Sequence, residues 1–213
     1  MFVLARRWGY LEENAINPAR ELDKYKEQKR DRWVTPEEVP RLVVAIDQEQ
    51  NFYAKAAIWL YLLTGLRKSE LLGATWRDVD WTRKELRLPE TKSGRSHYVP
   101  LSGPALALLR RMPRLQENEF ILPGRSLSGH LINIHKPWRR IRARAGLQDV
   151  RLHDLRRTVG SWLAQSGMSL HLIGRVLNHS STATTAVYAR FAQKQVREAL
   201  EEHGNRVMRA ANK

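Results

Sequence analysis

Fourteen residues, FYAKAAIWLYLLTG from Phe52 to Gly65, constrain the fold of this chain more than any other stretch. They are apolar almost all round. A helix with one apolar stripe lies at a surface, whereas one that is apolar on every side has to be surrounded by protein. The segment therefore predicts a central buried helix, ended by Gly65 as its C-terminal cap.

The rest of the chain arranges itself around that helix. Before it, Thr35-Pro36-Glu37-Glu38 predicts a helix start, with Thr35 as cap, Pro36 in the first turn and Glu38 completing a capping box; the helix runs to about Asp47. After it, Leu66 to Gly73 predicts a short helix carrying Arg67, Ser69 and Glu70. The period then changes. TWRDVDW, KELRLPE and RSHYVPL are short, partly alternating segments separated by turn residues, and they predict a small three-stranded antiparallel β-sheet with Lys92 on the tight turn between its last two strands. Ser102-Gly103-Pro104 opens another helix through Arg111, and the segment around Pro113 to Leu131 is loop-like. From about Ile132 the chain is helical again, with a basic face at Arg139, Arg140, Arg142 and Arg144. LRRTVGSWLAQ and LHLIGRVLNH form two helices that meet at Gly167. A last short helix, from about Thr182 to Ala189, carries Tyr188, and AQKQVREALEEHGNRVMRAA is an amphipathic tail. At the other end, LARRWGYLEEN reads as the end of a helix stopped by Asn17-Pro18. The expected fold is mainly α with one small antiparallel sheet.

Composition narrows the partners. The 213 residues carry a formal charge of +15 and a sequence pI of about 10.6. That much positive charge implies a polyanion, with nucleic acid leading. No apolar run is long enough to span a bilayer and Met1 opens no signal-peptide pattern, so a membrane is set aside. The absence of cysteine removes disulfides, cysteine zinc sites and thiol catalysis, and fits a reducing cytoplasm. The stretch ELDKYKEQKRDRW has no apolar periodicity and reads as a solvated linker. Lys24, Lys26, Lys29, Arg30 and Arg32 within it, and Arg139 and Arg140 later, are also candidates to lie along a phosphate backbone without reading bases.

The chemistry concentrates between Arg151 and Arg190. His153 and Arg156 stand three apart in RLHDLRRT, so on a helix they emerge from one face. His179 follows in VLNHSS and Tyr188 in TATTAVYAR. Arginine and histidine supply charge and hydrogen bonds to phosphate oxygens, and tyrosine supplies a nucleophile, which suits attack of a phenolate on a phosphodiester. Each residue also has a plainer reading. Arg67 pairs with Glu70 at i+3, Lys92 is a solvated turn lysine, His153 bonds within the core, His179 sits at a helix C-terminus, and Tyr188 is a half-buried aromatic. A zinc site at His153, His179 and a carboxylate such as Asp154 lacks the i, i+4 histidine spacing, and its basic surroundings disfavour a divalent cation. The helix–Gly167–helix unit is a rival of another class, a helix-turn-helix that reads DNA without cutting it.

The ordered set TGLRKSEL, TKSGRSHYVPL, LHDLRRT and LNHSSTATTAVYAR resembles the catalytic domain of the tyrosine recombinases, or phage integrases, over roughly Arg32 to Phe191. ARRWGYLEENAINPAR resembles the last helix of that family's core-binding domain. The resemblance implies the DNA breaking-rejoining fold shared with type IB topoisomerases. It divides the chain into a core-binding remnant at 1–20, a basic linker at 21–34, a catalytic domain at 35–190 and a helical tail at 191–213. It also implies roles. Tyr188 attacks the scissile phosphate to form a 3′-phosphotyrosyl link, Arg67 and Arg156 grip the non-bridging oxygens, and Lys92 protonates the leaving 5′ oxygen. His153 accepts the tyrosine proton or orients the phosphate, His179 bonds a phosphate oxygen, and Glu70 holds Arg67 or its neighbours in place.

No cofactor, metal or ATP is implied, because phosphotyrosine conserves the phosphodiester energy and arginines take the place of metal ions. The implied partner is double-stranded DNA, bound by a dimer or tetramer that assembles through the C-terminal tail of a phage- or prokaryote-encoded protein. A relaxing topoisomerase is the alternative with nearly the same chemistry. Asn178 stands where the family usually has glycine. The rest of the core-binding domain does not appear in these residues, so the resemblance implies a catalytic fragment or truncated product with weaker, less selective DNA binding.

Overall fold

The computed structural model describes residues 1–20, 22, 30–89, 96–125, 129–179 and 181–211, and the chain divides into two compact units, 1–31 and 32–213. In the first unit, helix α1 spans only Phe2–Arg7, shorter than LARRWGYLEEN predicts. Gly9 behind it has φ 75°, and the Tyr10 N–H donates back to the Ala5 carbonyl at 2.9 Å. This left-handed closure ends the helix well before Asn17-Pro18. Lys24, Lys26 and Lys29 lie outside the described residues.

In the second unit, α2 covers Val39–Asp47, so it starts later than Thr35. A start at Thr35 would have put Pro40 beyond the first turn, where it removes a helical hydrogen bond. Half of the expected box survives, with the Thr35 N–H donating to Glu38 Oε2 at 3.0 Å. Helix α3 is Phe52–Thr64, opened by Asn51, whose side chain accepts from the Ala54 N–H. Its buried residues, among them Ala54, Ala57, Ile58 and Leu60, cover the greater part of the helix, while Lys55, Trp59, Leu62 and Leu63 on the remaining side are only partly buried. Gly65 ends α3 at φ 65°. A Cβ there would lie 2.7 Å from Leu177 Cδ2, so the position needs glycine for space as well as for its left-handed backbone.

Helix α4 is Lys68–Leu72. A 3-10 turn at Trp76–Asp78 leads into strands β1 (Val79–Asp80), β2 (Glu85–Leu88) and β3 (His97–Pro100). The sheet is antiparallel in the order β1-β2-β3, with Leu86 opposite both Val79 and Val99 and Leu88 opposite His97. Alternation sends Leu86, Leu88 and Val99 into the core. Asp80 Oδ1 organises the first turn by accepting the N–H groups of Thr82 and Arg83 at 3.0 and 2.8 Å. The second turn, with Lys92, lies outside the described residues.

Helix α5 is Gly103–Arg111 and α6 is His135–Arg144; among the described residues between them, isolated bridges at Thr75–Phe120 and Pro123–His130 interrupt the loop. Helices α7 (Leu152–Gln165) and α8 (Leu170–Val176) meet around Gly167, at φ 86°. The single short helix expected to carry Tyr188 is α9 (Thr182–Thr185) followed by a 3-10 segment, Ala186–Ala192, and Tyr188 lies in the tighter part. Helix α10 is Gln193–Ala211. The main core packs Leu42, Ile46, Ile58, Leu106, Trp138 and Ile141 around α3, while a smaller cluster joins Ala164, Ile173, Leu177 and Tyr188.

The arginines of α6 divide by what they hold. Arg140 and Arg144 bond the Glu49 carboxylate at 2.6 and 3.1 Å, and Glu49 is nearly inaccessible. Arg142 donates to the Val150 carbonyl. Arg32, in the basic stretch before Thr35, pairs with Glu38 and Asp149 at 2.7 and 2.5 Å. Two of the candidate phosphate contacts, Arg32 and Arg140, therefore have carboxylate partners within the protein. Arg139 is exposed, with no carboxylate in ion-pair reach among the described residues.

Burial pushes the Glu49 carboxyl upward, but the Arg140 hydrogen bond, the Asn51 N–H and the two guanidinium charges outweigh it and hold it below its ordinary 4.5. Glu38 is held down chiefly by Arg32. A carboxyl depressed on folding adds stability that is complete above its unfolded value and is lost as pH falls through the folded one. Urea unfolding of Glu49→Ala should show a loss of about 1–3 kcal/mol at pH 7. The difference from wild type should shrink below pH 4.5. A variant as stable as wild type at pH 7 would remove Glu49 as the anchor of α6.

Candidate active site

Four segments meet where α3 ends. Gly65 closes α3, Arg67 precedes α4, the first turns of α7 carry His153 and Arg156, and α8 ends at Leu177 and Asn178. Arg156 is buried, and its Nη1 donates to the Gly65 carbonyl at 2.5 Å. Its Nη2 donates to the Leu177 carbonyl. One side chain thus joins the ends of α3 and α8, and each of its terminal nitrogens keeps a second N–H. Burial, then the Arg67 charge, push the Arg156 pKa down from its ordinary value.

Arg67 is arranged in the same way but lies half-exposed. Its Nη1 donates to Glu70 Oε1 at 2.8 Å, its backbone N–H to Glu70 Oε2 at 2.9 Å, and its Nη2 to the Asn178 carbonyl at 2.6 Å. The Asn178 amide reaches back to Glu70 Oε1 at 3.4 Å. Consecutive carbonyls at the C-terminal end of α8, where partial negative charge collects, therefore hold the two guanidinium groups side by side. Asn178 adopts φ 49°. Asparagine tolerates this left-handed position better than most residues, which accounts for its standing where the recombinases usually have glycine.

His179 is tied by its backbone to the Gly174 carbonyl at 2.9 Å and by Nδ1 to the Thr185 hydroxyl at 2.8 Å. Nε2 is left without a partner among the described residues. Burial, reinforced by Arg156, Arg67 and His153, pushes its pKa down to about 4. His153 is an exposed residue. Desolvation of its ring lowers its pKa all the same, and Arg156 and Arg157 act in the same direction.

Tyr188 is 5% exposed. Its ring lies flat on α7 at Gly160, one turn beyond Arg156, where a Cβ would stand 2.3 Å from Tyr188 Cζ. The His179 ring runs nearly parallel to it, 6.4 Å between centroids. Burial raises the Tyr188 pKa above its ordinary value, while Arg156 and Arg157 pull it down.

Arg67, Glu70, His153, Arg156, His179 and Tyr188 are thus gathered around one point, and Lys92 lies outside the described residues. The sequence reading missed four contributors. Gly65 was read only as a helix cap, and Gly160 gave no signal because what it lacks is a side chain. Thr185 orients His179. His97, on the inward face of β3, has a buried Nε2 without a hydrogen-bond partner of ordinary geometry. Burial lowers its pKa against the pull of Glu70. The alternation of HYV places His97 and Val99 on one face, but no pattern reveals what that face meets. Among the described residues, no group of three or more His, Cys, Asp or Glu side chains is disposed to hold a metal ion, and no helix is long and apolar enough to cross a membrane.

This arrangement offers two guanidinium groups and imidazoles to an oxyanion, with a phenol beside them. Residues 32–195 match the phage integrase family. The integrase of Salmonella phage P22 is 28% identical over 193 residues, a match covering 84% of this chain and 48% of that one. The shufflon-specific DNA recombinase of Escherichia coli is 31% identical over 184 residues, covering 85% and 45%. The solved catalytic domain of bacteriophage HP1 integrase superposes with a TM-score of 0.61 at 23% identity, covering 79% of this chain and 93% of that one. The chain spans between 48% and 61% of the length of the first curated relatives it matches.

The depressed histidines define a measurement. A histidine whose folded pKa is lowered contributes stability above its unfolded value, which is lost as pH falls toward the folded one. In proton NMR without DNA, His179 should titrate near 4 rather than at its ordinary 6.5. Arg67→Gln should move that midpoint upward by removing one of the charges. A midpoint at the ordinary value in wild type would mean that the guanidinium cluster does not act on His179.

Proposed function

The chain belongs to the phage integrase family, and from that premise we propose that it is the catalytic part of a site-specific DNA recombinase working through a 3′-phosphotyrosine intermediate. The observation that carries this reading is the convergence of Arg67, Arg156, His179 and Tyr188, residues far apart in sequence, on one point. The phenolate of Tyr188 attacks the scissile phosphorus as the bond to the 5′ oxygen breaks. Arg67 and Arg156 stabilise the charge that builds on the non-bridging oxygens, and the free Nε2 of His179 bonds one of them. His153 takes the phenol proton or orients the phosphate, and Lys92 returns a proton to the departing 5′ oxygen. The second strand's 5′-hydroxyl then reverses the step and releases Tyr188, so the phosphodiester is conserved.

Burial alone would keep the phenol protonated at neutral pH. Arg156 and Arg157 act against it, and the phenol gives up its proton as it attacks. A helix-turn-helix DNA reader would have no use for a buried arginine on α7 with a buried tyrosine from the following 3-10 segment packed against that helix.

The substrate proposed is double-stranded DNA, and the element served is mobile. We assign catalysis to 35–190 and read α1 as the equivalent of the last core-binding helix. The tail α10 displays Val196, Leu200, Val207 and Met208 to solvent, which supports docking on a neighbouring protomer. Deleting 192–213 should then abolish dimers and tetramers on DNA, and unchanged assembly in native gels would refute it.

The direct test is a nicked duplex carrying the attachment site from the DNA that flanks the coding sequence, incubated in EDTA and resolved on a denaturing gel. Wild type should give a covalent protein–DNA band that Tyr188→Phe abolishes. A band that survives in the variant would exclude Tyr188 as the nucleophile.

A further inference from the structure

One end of the sheet carries a second concentration of positive charge. In the register of β2 and β3, Leu88 and His97 mark one end, while Glu85 and Pro100 mark the other, which is the end in question. Trp81 follows β1 at that other end, and Trp76 precedes β1. Past the end of α5, the Arg114 guanidinium sits 4.7 Å from the centre of the Trp76 ring and 5.5 Å from that of Trp81. Arg110 sits 5.8 Å from the Trp81 ring. Trp81, Leu109, Arg110 and Arg114 line a depression of about 340 Å³.

These arginines differ from those of α6. Arg140 and Arg144 are held by Glu49, whereas Arg110 and Arg114 are exposed and have no carboxylate in ion-pair reach among the described residues. A guanidinium stacked on an indole keeps its N–H edge outward and loses much of its rotamer freedom, so less entropy is lost when it grips an oxyanion with two hydrogen bonds. Two such groups side by side suit successive phosphates of a nucleic-acid strand.

We propose that Arg110 and Arg114, stacked on Trp76 and Trp81, form a second DNA-phosphate site that holds duplex beyond the segment engaged by the Tyr188 cluster. The partner follows from the reading of the chain as a DNA recombinase, and a chain of charge +15 favours a polyanion of that size. The site contacts no base and adds affinity without sequence preference.

The test is fluorescence anisotropy of the full chain with a long labelled duplex across a salt series. Arg110→Gln/Arg114→Gln should lower the slope of log affinity against log salt by about 1.8, at about 0.9 for each phosphate no longer neutralised. Arg197→Gln/Arg209→Gln removes the same charge from the tail and should leave the slope near wild type. Trp81→Leu keeps both charges but removes a stacking surface, and should weaken binding several-fold. Equal slopes for the Arg110/Arg114 variant and wild type, or an equal fall in both double variants, would overturn the proposal. So would loss of polyglutamate binding in the Arg110/Arg114 variant with DNA binding intact, which would assign the patch to an acidic protein. The slopes report binding alone, so they judge this patch whether or not the nicked duplex yields a covalent band.

Discussion

The architecture of the site depends on one buried guanidinium. Arg156 occupies a place that only an arginine bonded on both terminal nitrogens can hold, because an unpaired charge there would be strongly destabilising. Its acceptors are main-chain carbonyls rather than carboxylates, so the positive charge is oriented without being neutralised. The requirement propagates outward. Gly65 must stay a glycine so that α8 can come close enough to present Leu177, and the turn after α8 must be left-handed at Asn178 so that the next carbonyl reaches Arg67.

The electrostatics of the cluster follow from the same arrangement. Glu70 pairs directly with Arg67, whereas among the described residues Arg156 has no carboxylate in ion-pair reach. Burial, with the surplus positive charge acting in the same direction, depresses His153 and His179, which favours their neutral, hydrogen-bonding form. Tyr188 experiences opposite influences, burial favouring the phenol and the guanidinium groups favouring the phenolate. In the proposed mechanism a nucleophile balanced in this way stays protonated until the attack on the phosphate begins. This economy needs a rigid seat, and Gly160 provides it by letting the ring rest directly on the backbone of α7.

A chain this basic invites the assumption that its arginines all face DNA. Several do not. Arg32, Arg140 and Arg144 bind carboxylates of the protein and brace the second unit around the main core, where Glu49 is enclosed. Arg139, Arg110 and Arg114 are exposed and have no carboxylate in ion-pair reach among the described residues. The distinction cannot be made by counting charges, because neighbouring positions on one helix, Arg139 and Arg140, fall on opposite sides of it.

The sequence by itself determined the elements and the inventory of chemistry. The run from Phe52 to Gly65 could only be a buried helix, the alternating segments could only pair as a small sheet, and the i, i+3 spacing placed His153 and Arg156 on one face. These are local consequences of periodicity, and they needed no partner to be legible. Boundaries were less so: α1 stopped at a left-handed Gly9 and α2 waited for Pro40, each set by a single residue's backbone preference, and Tyr188 fell in a 3-10 segment. Only the tertiary structure decided which carbonyls receive Arg156 and Arg67, that Gly160 seats Tyr188, that the His97 Nε2 is buried, and which arginines are already engaged. Those outcomes depend on close approaches between segments as much as 117 residues apart, and spacing along a chain carries no record of distance across it.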